Sequence, residues 1–198
     1  MNGHLLAVTS VTWSPDGTLL ASGSEDKTVK VWDTQTGEAS QLLIGHSRTV
    51  SCLAFKPNDP SILVTGCLDA TLKLWDLSTS SCLSTVRGDK PISCLAFSTN
   101  SNTIAAGEGH VHGGRNYSIL LYDVEACTKI DCPQLGHSRR VTSVAWNNDG
   151  TKFASGSWDY TVLIWEVGSG GTFECKSSLN RHTGYVSEIS CSCVFSKM

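Results

Sequence analysis

An aromatic residue followed by an acidic residue recurs four times in this chain at a nearly constant interval. The pairs, spaced 43, 47 and 43 residues apart, are Trp32-Asp33, Trp75-Asp76, Tyr122-Asp123 and Trp165-Glu166. A second landmark precedes each pair, namely Gly3-His4, Gly45-His46, Gly88-Asp89 and Gly136-His137, with a weaker fifth opening at Arg181-His182. A period of this length means that one small structural unit is used repeatedly and that neighbouring units stack to bury a common core.

Each repeat divides at turn signals into short stretches with strand-like alternation. In the first repeat, the apolar and β-branched run Val8 to Trp13 ends at the turn sequence Ser14-Pro15-Asp16-Gly17. The strands predicted after this turn are Leu19 to Ser24, Thr28 to Trp32 and Ser40 to Ile44. The same order recurs from Val50, Ile92 and Val141, and no stretch shows sustained helical periodicity. The chain is therefore predicted to be all-β, with four-stranded antiparallel sheets that must stack because one sheet alone cannot bury both faces.

These landmarks resemble a known family. The period, the Gly-His opening, the Ser-Pro-Asp-Gly turn and the runs ASGSEDKTVKVWD and ASGSWDYTVLIWE are similar to WD40 repeats. The resemblance extends from about residue 3 to about residue 190 and implies a β-propeller in which each sheet is one blade. The repeat region is expected to span 1–191, with repeats at 3–44, 45–87, 88–135 and 136–180, a partial fifth repeat at 181–191, and a non-repeat tail at 192–198.

Four repeats and part of a fifth predict an incomplete or open propeller. Propellers have about four to eight blades, and those of this family usually have about seven. An open arc exposes apolar blade faces and unpaired edges, and both features promote association. We therefore expect self-association or a complementing propeller half.

Three repeats contain a histidine, a hydroxyl residue, an aspartate and a tryptophan at matching positions. The sets are His4, Ser22, Asp26 and Trp32; His46, Thr65, Asp69 and Trp75; and His137, Ser155, Asp159 and Trp165. A serine hydrolase uses the first three residue types, but an active site needs one copy rather than three, and the chain has no Gly-x-Ser-x-Gly motif. The resemblance implies instead a structural ladder of hydrogen bonds from Trp to Ser or Thr to His to Asp. No catalytic residue is expected, and the chain is predicted not to be an enzyme.

The third repeat departs from this pattern. The histidine, hydroxyl, aspartate and tryptophan are replaced by Asp89, Ala106, Asn116 and Tyr122. An insertion, Glu108 to Arg115, also separates its second and third strands. The insertion is not a phosphate loop, because a strand rather than a helix follows it, and His110 and His112 have no third ligand at a recognisable spacing. No metal and no cofactor are predicted.

Composition narrows the partners and the compartment. A net charge of -3 argues against direct binding of nucleic acid, and no apolar run is long enough to span a membrane. The first ten residues lack the pattern of a secretory signal. Nine cysteines without paired spacing do not form a disulfide framework, and Cys52 and Cys94 alternate with serine at the matching positions. An intracellular location, cytoplasmic or nuclear, is expected.

One rim of the predicted propeller carries candidate partner-binding residues. In the family this rim presents the loops before each first strand and the turns before each third strand. Arginine, tryptophan and tyrosine often dominate interface energy, and arginine suits carboxylate or phosphate groups. The candidates for contacting an acidic or phosphorylated peptide are Arg48, Lys90, Arg115, Arg139, Arg140, Trp158 and Tyr160. The alternative is a solvated, charged rim without this role.

The function predicted from these features is a non-catalytic scaffold or adaptor that binds peptide or protein partners in a larger assembly. The alternative is a truncated sensor or substrate-targeting module of a multidomain enzyme, an ATPase or a ubiquitin ligase. Substrate receptors of cullin-type ligases in this family carry an arginine two residues after the Trp-Asp pair. That position holds Gln35, Ser78, Glu125 and Gly168 here, so the arginine motif is absent from all four repeats, which argues against a ligase receptor without excluding it.

Overall fold

A computed structural model of the chain describes residues 3–100, 102–109, 117–130, 136–168 and 172–190. Within these ranges the regular structure is entirely β, which confirms the predicted fold class. The strands are β1 (Val8–Trp13), β2 (Leu19–Ser24), β3 (Thr28–Asp33), β4 (Ala39–Ile44), β5 (Val50–Lys56), β6 (Asp59–Cys67), β7 (Thr71–Asp76), β8 (Ser81–Arg87), β9 (Ile92–Phe97), β10 (Thr103–Glu108), β11 (Ile119–Asp123), β12 (Thr128–Ile130), β13 (Val141–Trp146), β14 (Lys152–Ser157), β15 (Val162–Val167) and β16 (Phe173–Leu179).

The strands form four antiparallel sheets, each of four strands in sequence order. We number them blade one (β1–β4), blade two (β5–β8), blade three (β9–β12) and blade four (β13–β16). In blade one the predicted strands agree with the observed ones to within one residue, since β3 continues to Asp33 and β4 begins at Ala39. The inner strands β1, β5, β9 and β13 lie beside one another in chain order, so consecutive blades stack.

Some sequence predictions fall beside or outside the described residues. The insertion predicted at Glu108 to Arg115 lies mostly outside them, as does the tail at 192–198. The lone fifth strand predicted near Tyr185 to Cys191 is wrong for residues 185–190, which form no β-strand. This segment nevertheless docks on blade four, where Val186 is buried and its N–H donates to the Ser157 carbonyl (3.1 Å).

The hydrophobic core lies between the blades. Each pair of neighbouring blades shares one cluster of buried side chains, as when Val29 and Val31 of blade one meet Leu53, Phe55 and Trp75 of blade two. Similar clusters lie between blades two and three and between blades three and four. Because each sheet is apolar on both faces, a blade gains stability from each neighbour that covers a face. We call the face toward the preceding blade the leading face and the opposite one the trailing face.

The joint between blades repeats in detail. On the trailing face of blade one, a Cβ added to Gly23 would lie 2.7 Å from Val50 Cγ1, the first side chain of the next inner strand. The glycine is required because the next blade approaches the backbone directly. The Thr9 hydroxyl donates to the Val50 carbonyl across the same joint. Matching glycines and hydroxyls at the later joints are Gly66 and Ser51 facing Ile92, Gly107 and Ser93 facing Val141, and Gly156 and Thr142 facing Val186.

Candidate interaction surface

The structure brings together the four residues of each sequence-predicted ladder. In blade four, Trp165 Nε1–H donates to the Ser155 hydroxyl (2.9 Å), which lies 2.8 Å from His137 Nε2. The opposite ring nitrogen, His137 Nδ1, lies 3.0 Å from a carboxylate oxygen of Asp159. Strand β15, strand β14, the loop before β13 and the turn before β15 thereby meet through one continuous set of polar contacts.

Blades one and two contain the same arrangement. Trp32 Nε1–H donates to Ser22 (2.8 Å), and His4 bridges Ser22 (2.8 Å) and Asp26 (2.9 Å). In blade two, Trp75 Nε1–H donates to Thr65 (2.9 Å), and His46 Nε2 lies 2.7 Å from the same oxygen, while His46 Nδ1 is 3.4 Å from Asp69. The hydroxyls of all three sets are buried. A buried hydroxyl held by tryptophan and histidine is not accessible to a substrate.

The ladder aspartates also hold the loop that precedes each first strand. Asp26 accepts the N–H of Leu5 (2.9 Å) and the hydroxyl of Thr28 (2.6 Å). Burial alone raises the pKa of Asp26, but these donors, the Thr28 N–H and His4 outweigh it and hold the pKa well below its ordinary range. The corresponding donors act in the same direction on the pKa of Asp69 and of Asp159. All three ladders are therefore built around ionised carboxylates.

The pKa values of the histidines in blades two and four are lowered like those of their aspartates, but burial is the cause and the neutral form is favoured. Burial lowers the pKa of His46, although the charge of Asp69 opposes this effect. Burial likewise lowers the pKa of His137 against the opposing charge of Asp159. A neutral imidazole has one donor and one acceptor nitrogen, so it can accept from the hydroxyl on one side and donate to the carboxylate on the other.

Blade three lacks this ladder, and Glu108 takes over part of its role. The side chain of Glu108 is 1% exposed, and its carboxylate accepts the N–H of Asp89 (2.9 Å) and of Lys90 (3.3 Å). It also accepts the hydroxyl of Ser118, which occupies the position of the threonine that binds the aspartate in the other blades. Glu108, at the end of β10, therefore binds both the loop N–H and the strand hydroxyl that a ladder aspartate would bind. Sequence analysis missed this residue because the other repeats carry Ser24, Cys67 and Ser157 at its position.

Tyr122, which stands at the tryptophan position of blade three, binds outside its own blade. Its hydroxyl donates to Ser84 Oγ on β8 of blade two (3.1 Å). Ala106, at the hydroxyl position, packs in the core between these two blades. The polar contact that fastens β15 to β14 in blade four has thus been replaced by a contact between neighbouring blades.

The candidate partner-binding residues lie unevenly along the rim. Arg48 and Arg139 are exposed, and Arg115 lies outside the described residues. Arg140 stacks over the ring of Trp158 (5.5 Å from guanidinium carbon to centroid), and Lys90 Nζ lies 4.6 Å from the ring centroid of Tyr117. Gly109 lies between these two pairs, because a Cβ added there would be 2.9 Å from both Arg140 Cα and Tyr117 Cδ1.

The strip continues through residues that sequence analysis did not single out. Tyr185 stacks on Trp158 (4.9 Å between ring centroids) and lies 5.5 Å from Tyr160. Tyr160 and Tyr185 are 39% and 55% exposed, so aromatic surface faces solvent. Stacking on Trp158 depends on the docking of the segment 185–190, which the repeat pattern alone did not place. We define the rim strip as Lys90, Tyr117, Arg140, Trp158, Tyr160 and Tyr185.

Arg140 has an unmet hydrogen-bonding group inside this strip. Its Nε is buried and has no hydrogen-bond partner among the described residues. Guanidinium groups are seldom buried without an acceptor, because the desolvated N–H groups lose their water. A buried, unpaired arginine N–H beside exposed aromatic rings is typical of a site where another molecule supplies the hydrogen-bond acceptor.

One group of possible metal ligands occurs within the described residues. Donor atoms of His46, Cys67 and Asp69 lie within 4.8 Å of one another. The Cys67 thiol donates to the Arg48 carbonyl (3.2 Å) and accepts the Asp69 N–H (3.3 Å), and burial raises its pKa to about 11. A protonated thiol is a poor metal ligand. The contacts of the blade-two ladder and of the adjacent turn already use these donor atoms, so we assign the three residues to the structure of blade two rather than to metal binding.

Comparison with known proteins decides the family. The profile described as WD domain, G-beta repeat matches residues 1–33, 37–76, 80–123 and 130–166. The chain belongs to the WD40 family. Its four blades are those of an incomplete WD40 propeller. The repeats of this family are generally non-catalytic interaction modules.

Curated WD40 relatives are similar over most of the chain. Nuclear distribution protein nudF of Emericella nidulans is 34% identical over 198 residues, which covers 98% of the chain and 42% of that protein. Protein tipD of Dictyostelium discoideum is 31% identical over 94% of the chain and 29% of its own length. Cell division cycle 20.1, cofactor of APC complex, of Arabidopsis thaliana is 30% identical over 83% of the chain and 37% of its own length. The chain thus spans less than half the length of these WD40 proteins.

No helix that is long and apolar enough to cross a membrane occurs in the described parts of this WD40 chain. The cysteines described, Cys52, Cys67, Cys82, Cys94, Cys127 and Cys175, are all free thiols. Cys52 and Cys94, which alternate with serine at the matching positions of the other repeats, are buried as small core residues. Burial raises the pKa of Cys94 to about 12, so this thiol is unreactive near neutral pH.

Proposed function

We propose that this chain is a non-catalytic interaction scaffold that binds an acidic or phosphorylated peptide segment on the rim strip. The observation that carries the proposal is the buried, unmatched Nε of Arg140 beside the exposed rings of Tyr160 and Tyr185. Arginine and aromatic residues in a partly desolvated cluster are the residue types that dominate interface energies.

The charge and shape of the strip favour an anionic peptide group. The Arg140 guanidinium is held against Trp158, so little side-chain freedom remains to be lost on binding. A carboxylate or phosphate accepts from two guanidinium N–H groups at once and would satisfy the buried Nε. The exposed rings of Tyr160 and Tyr185 offer apolar surface to the flanking peptide residues.

Fluorescence anisotropy with two labelled peptides tests this binding. One probe is a hexaglutamate peptide, and the other is a glycine-serine peptide carrying one phosphoserine. We expect the chain to bind at least one of them, and Arg140→Gln to weaken that binding by about tenfold or more, because a charge-assisted hydrogen bond is lost.

Lys152→Gln is the charge-matched control, because Lys152 is an exposed cation that pairs with Glu166 at the end of blade four opposite the turn before β15. This variant should bind like the parent chain. Binding of neither probe by the parent, or equal losses in both variants, would contradict an anionic peptide site on the rim strip. Thermal melts of both variants verify that each remains folded.

A second candidate function is a substrate-targeting module. It is favoured by the similarity to a relative whose name describes it as a cofactor of the APC complex. In that case the rim strip recognises a substrate segment, and a ligase binds elsewhere on the protein. Immunoprecipitation followed by a ubiquitination assay distinguishes the two, because a simple scaffold brings no ligase activity with it. For either function we propose an intracellular location, in keeping with the free thiols.

A further inference from the structure

The leading face of blade one is exposed where the other three blades are covered. Val8, Val11 and Trp13 are 52%, 59% and 62% exposed. The matching residues of blade four, Val141, Val144 and Trp146, are 0%, 6% and 5% exposed. The same three positions of blade two, Val50, Leu53 and Phe55, are equally buried. The inner strand of blade one thus carries the side chains of a blade joint without the blade that would cover them.

The trailing face of blade four shows the converse deficit. Its residues Ala154, Val162 and Ile164 are only half-buried, whereas the matching residues of blade one, Ala21, Val29 and Val31, are at most 1% exposed. The partial cover comes from the segment 185–190, whose Val186 and Ile189 lie against Gly156. On this face, a segment that forms no sheet and contributes two apolar side chains stands where an inner strand with three apolar side chains lies at the other joints.

The two deficits are complementary halves of one joint. Three intact joints in this chain seat a valine or isoleucine on a glycine and bind its carbonyl to a hydroxyl of the preceding blade. Blade four offers Gly156 and the Thr142 hydroxyl, which now bind Val186. Blade one offers Val8, in the register that fits them. Blade one does not cover blade four within the described chain, but it can do so in a second copy.

We propose that two copies of this chain associate head to tail, with the leading face of blade one in each copy docked on the trailing face of blade four in the other. β1 then displaces Val186 and Ile189 from Gly156, and the two joints close a ring of eight blades. This displacement also releases Tyr185 from Trp158, so the rim strip with Tyr185 in place belongs to the single chain. Propellers have about four to eight blades, so this ring falls within the known range. A head-to-tail contact that closes after two copies leaves neither face exposed and stops growth at the dimer.

Size-exclusion chromatography with light scattering and sedimentation equilibrium on the 198-residue chain test the proposal. We expect a species of twice the 21.2 kDa chain mass, in equilibrium with monomer. Val11→Lys and Trp13→Lys should each raise the dimer dissociation constant about 30-fold or more, because an apolar anchor at an interface centre is lost. Both side chains are exposed in the single chain, so these changes leave its fold intact.

Two further variants separate this joint from general stickiness. Leu83→Lys replaces a side chain of similar exposure (53%) on β8, away from the joint, and should leave the dimer unchanged. Val186→Asp weakens the competing segment and should strengthen dimerisation. A monomer at every concentration, polymers larger than a dimer, or equal effects of Val11→Lys and Leu83→Lys would each overturn the proposal.

Discussion

Blades three and four meet the same structural requirement with different residues. In blade four, Asp159 accepts the N–H of Ser138 (2.9 Å) and the hydroxyl of Thr161 (2.6 Å), and His137 connects it to Ser155 and Trp165. In blade three, Glu108 accepts the equivalent amide and hydroxyl, but no bridge onward to Tyr122 is present among the described residues of the blade. What both blades retain is an acid that binds the loop before the first strand. The connection to the third strand can be replaced by packing and by a contact with the neighbouring blade.

The largest effect is expected from removing the ladder histidine of blade four. His137→Ala leaves Ser155 and Asp159 without their buried partner, and the chain should lose about 3 kcal/mol of unfolding free energy. Urea unfolding followed by circular dichroism measures the loss. His182→Ala is the control, because His182 is exposed and belongs to no ladder, and it should be neutral. Equal stability of the two variants would mean that the His137 ladder contributes nothing measurable to the unfolding free energy.

Removing the acid of blade three should cost slightly less. Glu108→Ala leaves the N–H groups of Asp89 and Lys90 and the Ser118 hydroxyl without their shared acceptor, which should destabilise the chain by about 2 kcal/mol. Hydrogen exchange provides a local readout, because the amides of Asp89 and Lys90 should lose protection. Glu125→Ala, at an exposed glutamate of the same blade, should change neither quantity. Unchanged protection of these amides in Glu108→Ala would disprove the idea that Glu108 performs the role of a ladder aspartate.

The unfolding free energy should fall in acid because the ladders of blades two and four contain buried histidines. Burial keeps the pKa of His46 and His137 below the ordinary value in the folded chain. An unfolded histidine titrates near about 6.5, so the unfolded chain binds more protons below that pH. The contribution of the neutral histidines is complete above that pH and is lost as the pH falls towards the folded pKa, by at most about 1.4 kcal/mol per pH unit for each histidine.

The unfolding free energy measured from pH 7.5 to pH 5 tests this expectation. His137→Gln should have a shallower slope over this range than the parent chain, whereas His182→Gln should keep the parent slope. The ladder aspartates have lowered pKa values, so their contribution is present above about pH 4 and is lost only in stronger acid. A parent slope that persists in His137→Gln would assign the pH dependence to other groups.

The smallest effect is expected at the tryptophan position of blade three. Tyr122→Phe removes only the bond to Ser84 in blade two and keeps the buried ring, so the loss should be about 1 kcal/mol. Trp165→Phe in blade four should cost more, because it leaves the Ser155 hydroxyl without its indole donor and the core with a smaller ring. Comparing the two urea midpoints checks the order. A reversed order would show that the contact between blades matters more than the ladder within a blade.

The repeat pattern was sufficient to place the strands and the ladders. The alternation of Val11 and Trp13 indicated which side chains share a face, and the spacing of His4, Ser22, Asp26 and Trp32 located the residues that meet. Val8 shares that face only because the register shifts between Val8 and Ser10. Both predictions rest on local rules, since strand alternation and turn residues act over a few positions. In blades one, two and four the ladder side chains lie within contact distance of one another.

Sequence alone determined that this chain is all-β, that it consists of repeated blades, and which residues form the ladders. Only the tertiary structure decided what happens where the pattern is interrupted. Glu108 replaces a missing aspartate, and Tyr185 stacks on Trp158, because residues distant along the chain become neighbours once the blades stack. The exposure of Trp13 and the burial of Trp146 have the same origin. Trp13 and Trp146 occupy the same position in the first and fourth repeats, and they differ only in whether a neighbouring blade covers them.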